Sequence, residues 1–114
     1  NQRRQLRSYQ VDTKGNLKSH KVLHDFGPHR GIDGMALDSD GNIVATCGWE
    51  VSGPGPMICI FDKKGRIILS ERTPCMRPSN IAFGGKNLED IYITSLEGHL
   101  YRVRNSGLKG NKLP

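Results

Sequence analysis

The chain has 114 residues, a formal net charge of +6 and 35% hydrophobic residues. That length holds one small domain and excludes a complete β-propeller, which needs about 4–8 four-stranded blades of roughly 45 residues each. The basic residues Arg3, Arg4, Arg7, Lys109 and Lys112 lack the aromatic interleaving of a single-strand binder, and no apolar run approaches about 18 residues, so neither a nucleic-acid partner nor a membrane helix is expected.

The elements read as strands throughout, with no helix. Residues 5–12 alternate apolar and polar around Leu6, Tyr9 and Val11, and Asp12-Thr13-Lys14-Gly15-Asn16 reads as a turn. A second strand is expected from Lys21 to Phe26, followed by a loop from Phe26 to Gly31. Met35 to Leu37 opens the next strand, Asp38-Ser39-Asp40-Gly41-Asn42 is a hairpin turn, and Ile43 to Cys47 returns. Gly48 to Pro56 reads as a Gly/Pro-rich loop carrying the sole tryptophan, Trp49, either a structural loop with Trp49 packed beneath it or a lid over the tunnel mouth. Met57 to Phe61 and Arg66 to Ser70 form a hairpin around Asp62-Lys63-Lys64-Gly65, and Thr73 to Pro78 crosses onward. Ile81 to Phe83, Asp90 to Thr94 and Leu100 to Val103 follow, and the tail from Asn105 shows no apolar period and is expected to start a further connection.

These strands repeat. Asp33-Gly34-Met35-Ala36-Leu37 with Ile43-Val44-Ala45-Thr46 returns as Asn80-Ile81-Ala82-Phe83-Gly84-Gly85 with Ile91-Tyr92-Ile93-Thr94; Met35 to Ile81 is 46 positions and Ile43 to Ile91 is 48. Tyr9 to Leu17 matches Cys59 to Ile67 at an offset of 50. A period of that length built from short strands and Gly/Asp turns is the sign of propeller blades. Residues 1–30 then hold outer strands of a partial blade, 31–73 one complete blade, and 74–114 three strands of another. The sum is about two and a half blades, and the ragged start favours a fragment.

Cys47, Cys59 and Cys75 form no CxxC and no zinc pattern. Reduced thiols are expected, which favours a cytoplasmic setting. The turn Asp38–Asn42 departs from the calcium-loop pattern because its glycine comes too early and no Glu closes it. His20, His24 and His99 have no ligand spacing and read as surface residues.

At Ile32-Asp33-Gly34-Met35-Ala36-Leu37-Asp38 and Asn80-Ile81-Ala82-Phe83-Gly84-Gly85, closing with Thr94-Ser95, the chain resembles the C-terminal part of the gluconolactonase family, that of senescence marker protein (regucalcin). The resemblance spans about Leu6 to Leu113 and implies an all-β, six-bladed propeller. It implies a metal-dependent lactonase opening a sugar lactone (an aldonolactone) to its acid, with calcium or zinc as the cofactor. Asp33 falls on the family's Asp that serves as metal ligand and as general base for the attacking water. The family's other ligands, a Glu and an Asn, lie upstream of this chain's sequence, and Ile32 replaces the usual Pro before Asp33.

Beside Asp33, three residues are candidates for substrate contact. Arg30, next to His29, offers a bidentate fork to a sugar acid. Asn80 occupies the position of Gly34 or Asp33 in the next repeat, and Trp49 offers a stacking face for a sugar ring. Two other readings stand beside the lactonase: a non-catalytic propeller module for protein binding, and a partial propeller closed by homo-oligomerisation. In either case the remaining blades come from missing sequence or from other copies.

Overall fold

A computed structural model describes residues 5–26, 31–49, 52–73 and 77–110. Nine strands account for most of them: β1 (Gln5–Val11), β2 (Leu17–Asp25), β3 (Ile32–Leu37), β4 (Ile43–Trp49), β5 (Ser52–Phe61), β6 (Ile67–Arg72), β7 (Pro78–Gly84), β8 (Asp90–Ser95) and β9 (Leu100–Val103). They form three antiparallel meanders, β1-β2, β3-β4-β5-β6 and β7-β8-β9.

The same turn chemistry closes three of the hairpins. Asp12, Asp38 and Asp62 each accept the amides two and four residues further on, at 2.8–2.9 Å. The fourth turn position needs positive φ, which Gly15, Gly41 and Gly65 supply at 84°, 82° and 86°. In the β8-β9 turn Ser95 takes the aspartate's part, its Oγ accepting the His99 amide at 3.2 Å.

Strands β4 and β5 are apolar on both sides because both sides are covered. On one side Val44 and Ile60 pack with Ile81, Ile91 and Ile93 of β7 and β8. On the other, Ala45, Cys47, Cys59 and Phe61 pack with Leu6 of β1, and Leu23 and Phe26 lie against them. His24 belongs to this second layer rather than to the surface: it is half-buried, 4.6 Å from the Phe26 ring and 5.2 Å from the Phe61 ring between centroids.

Three further expectations are corrected. First, β2 begins at Leu17, not Lys21, because residues 17–20 complete the ladder to β1. Second, residues 48–56 are not one long loop. Strand β4 runs to Trp49 and β5 starts at Ser52, with Trp49 opposite Ser52. Between Cys47↔Met57 and Trp49↔Ser52 the ladder is irregular, so Gly53, Pro54, Gly55 and Pro56 lie where no regular partner is needed. Proline, which has no amide hydrogen, is accommodated in a strand at such places. Third, the tail turns back on the sheets. Lys109 O accepts the Ser39 amide, and the Gly110 amide donates to Leu88 O at 2.8 Å.

Candidate functional site

The first strand of each of the last two sheets carries a bulge near its start. In β3, Ile32 pairs with Cys47 and Gly34 with Thr46, which leaves Asp33 as the extra residue. In β7, Pro78 pairs with Ser95 and Asn80 with Thr94, which leaves Ser79 extra. A bulge bends its strand and re-aims the inserted side chain, and bulges are over-represented beside active sites. Asp33 is exposed there.

The β3 bulge is held from two directions. Thr46, fully buried, accepts the Gly34 amide at 3.1 Å and donates its hydroxyl to the Gly34 carbonyl at 3.2 Å. From the other side β7 closes down on Gly34: a Cβ at that position would lie 2.6 Å from Asn80 Cα and 2.7 Å from Ser79 O. Only a residue without a side chain fits between them. Asp33 therefore rides on a backbone with little room to shift.

The register settles the repeat equivalence. Gly34 and Asn80 both pair with the threonine of the following strand, so Asn80 corresponds to Gly34. Its side chain is exposed, and its Oδ1 accepts the Ile81 amide at 2.8 Å. The residue that corresponds to Asp33 is Ser79, which sequence reasoning passed over although it lies 46 positions on, the offset of the repeat itself. Ser79 Oγ lies 2.9 Å from Thr94 Oγ1.

Trp49 ends β4, beyond the Ile32–Cys47 pair, so its backbone is at the same end of the sheet as Asp33. Arg30 and His29 lie outside the described residues. The turns at Asp38 and Asp62 close the opposite end of the sheet, where Asp40, Asn42, Asp62, Lys63, Lys64 and Arg66 line a shallow depression.

For a hard cation such as calcium, Asp33 has the right chemistry, an exposed carboxylate on a constrained backbone. Calcium takes about 6–8 oxygens, however. Among the described residues no group of three His, Cys, Asp or Glu side chains is placed to hold a metal. Asp33 fits as one ligand of a set, not as a site.

Residues 2–97 match the family model of the SMP-30/gluconolactonase/LRE-like region. The chain belongs to that family. It is 30% identical over 92 residues to a 6-deoxy-6-sulfogluconolactonase of Pseudomonas putida, covering 79% of this chain and 30% of that protein. It is 30% identical over 88 residues to regucalcin of Danio rerio, covering 76% of this chain and 28% of that protein. Among solved structures it superposes on a luciferin-regenerating enzyme with a TM-score of 0.79 at 23% identity, over 95% of this chain and 40% of the other. The fold is therefore that of the gluconolactonase-type β-propeller, of which this chain covers part. It spans about 30% of the length of the relatives it matches.

Proposed function

We propose that the chain is part of a metal-dependent sugar lactonase that hydrolyses an aldonolactone to its acid, with Asp33 as general base and metal ligand. The observation that carries this is the bulge at Asp33, which puts the one family-matching carboxylate on a backbone pinned by Thr46 and Asn80. Preorganisation of that kind is what a group working on a reacting water requires.

The Asp33 carboxylate would take a proton from the water that attacks the lactone carbonyl carbon. The ring C–O bond then breaks, and the proton returns to the departing alkoxide. A bound calcium or zinc would supply polarisation of the carbonyl oxygen. Asn80, exposed on β7 of the next sheet, would donate its Nδ2 hydrogens to a substrate oxygen, since its Oδ1 already accepts the Ile81 amide. Arg30 would meet the carboxylate product, and Trp49 would stack on the sugar face.

The test is lactone hydrolysis by the closed propeller, with Asp33→Asn beside it. A loss of roughly 10²–10⁴-fold in kcat, with chelator sensitivity in the parent, is expected. An Asp33→Asn variant as active as the parent would remove Asp33 from the chemistry.

A further inference from the structure

Two thiols lie together in the second core layer and take no part in the proposed chemistry. Cys47 of β4 and Cys59 of β5 are each 5% exposed, and their sulfurs are 3.0 Å apart. They are a diagonal cross-strand pair: Cys47 stands opposite Met57, and Cys59 opposite Ala45. Both are free thiols. We propose that Cys47 and Cys59 are an oxidisable dithiol that closes to an intrachain disulfide when a hydroperoxide reaches it.

The geometry favours closure over other fates of an oxidised cysteine. A disulfide needs its sulfurs about 2.05 Å apart, so the pair has only about 1 Å to travel. The two thiols also divide the labour. Cys47 donates its S–H to the Cys59 sulfur, which with burial holds Cys47 above the ordinary thiol range and, against burial, pulls Cys59 below it. Cys59, the sulfur that accepts the Cys47 S–H, is assigned the attack, and Cys47 the resolving step.

The steps balance. The Cys59 thiolate attacks one peroxide oxygen, the O–O bond breaks, and the departing hydroxide takes up the proton that the Cys59 thiol gave up on ionising, which gives a sulfenic acid and one water. The Cys47 sulfur then attacks the sulfenic sulfur, and its proton departs with the hydroxyl as a second water. Two thiols are oxidised and one hydrogen peroxide is reduced. The new bond would tie β4 to β5 beside Ile32, the Cys47 partner that directly precedes the bulged Asp33. The apolar layer around the sulfurs slows access to a bulky disulfide such as oxidised glutathione and leaves a small neutral peroxide as the fitting oxidant.

The experiment is done on the folded protein in a Cys75→Ser background, so that only the pair is counted. Hydrogen peroxide is added, free thiols are alkylated, and the peptides are weighed. Loss of both alkylatable thiols with a joined peptide about 2 Da lighter than the sum of its parts, reversed by dithiothreitol, is expected. In Cys47→Ser, where the resolving thiol is gone, dimedone should label Cys59. Both thiols still alkylatable after peroxide, a disulfide joining two chains, or lasting dimedone label on Cys59 while Cys47 is present would each overturn the proposal. None of these readouts depends on lactone hydrolysis.

Discussion

The hydroxyl of Thr46 holds Gly34 by both of its backbone polar groups, accepting the amide at 3.1 Å and donating to the carbonyl at 3.2 Å. One buried side chain of β4 thus ties down the bulged strand that carries Asp33. In the next sheet Thr94 stands opposite Asn80 in the same register, but its hydroxyl is turned to Ser79 instead.

Replacing Thr46 by valine keeps the volume and removes the hydroxyl. Each lost hydrogen bond is worth about 0.5–1.5 kcal/mol, so a loss of roughly 1–3 kcal/mol is expected in urea unfolding. A midpoint equal to the parent's would mean that the hydroxyl is not holding the bulge.

Gly34→Ala tests the other side. The added methyl meets Asn80 Cα and the Ser79 carbonyl, both backbone, which cannot rotate away. The sheets must part, at a cost of about 3 kcal/mol. Gly15→Ala is the matched control, since nothing lies within 4 Å of its methyl and only its φ of +84° resists, for about 1–2 kcal/mol. Equal losses at the two sites would show that crowding against Asn80 is not what makes glycine necessary.

Acid should weaken the fold through identifiable carboxylates. The Asn105 amide and then the Arg102 guanidinium hold the Asp90 carboxyl below its usual range, the first at 3.0 Å and the second at 2.9 Å. Asp62 is held down chiefly by the Arg66 amide, and Asp12 by that of Asn16. A carboxyl whose folded pKa is depressed contributes stability that is fully present above the unfolded value, near 3.9. That contribution is lost as pH falls through the folded value. Stability should therefore decline below about pH 4, and Asp90→Asn should flatten the decline while lowering stability at neutral pH. An unchanged acid slope in Asp90→Asn would assign the acid loss to other groups.

Ile93 of β8 is fully buried in the layer between the second and third sheets, with Val44, Ile60, Ile81 and Ile91. Ile93→Ala leaves a cavity there and should cost about 2–5 kcal/mol. Unfolding followed by a probe in β1-β2 and by another in β7-β9 should shift together if the three sheets form one cooperative unit. A shift confined to the third sheet would show that its packing on β4 and β5 does not couple them.

Much of this was legible in the sequence because it is local. The Asp-x-x-Gly turns need a carboxylate that accepts two nearby amides and a residue tolerant of positive φ, and both requirements lie within five consecutive residues. Alternating apolar strands between such turns, repeated at offsets of 46 to 50, were enough for an all-β blade repeat and for the family. Asp33 could be singled out because it falls on the Asp of the family motif, and Asn80 because it opens the matching motif one repeat on, 46 positions after Gly34. Tertiary structure decided the rest, since it depends on which backbones meet. The bulges that isolate Asp33 and Ser79, the identity of Asn80 as the counterpart of Gly34, and the crowding that requires glycine at 34 arise only where β3 lies against β4 and β7, and β7 against β8. The same holds for the extension of β4 and β5 through a proline-rich stretch that reads as a loop, and for two thiols 12 positions apart whose sulfurs stand 3.0 Å from each other. Spacing along a chain records what each strand can do by itself; contact between strands selects the registers, and the registers place the side chains.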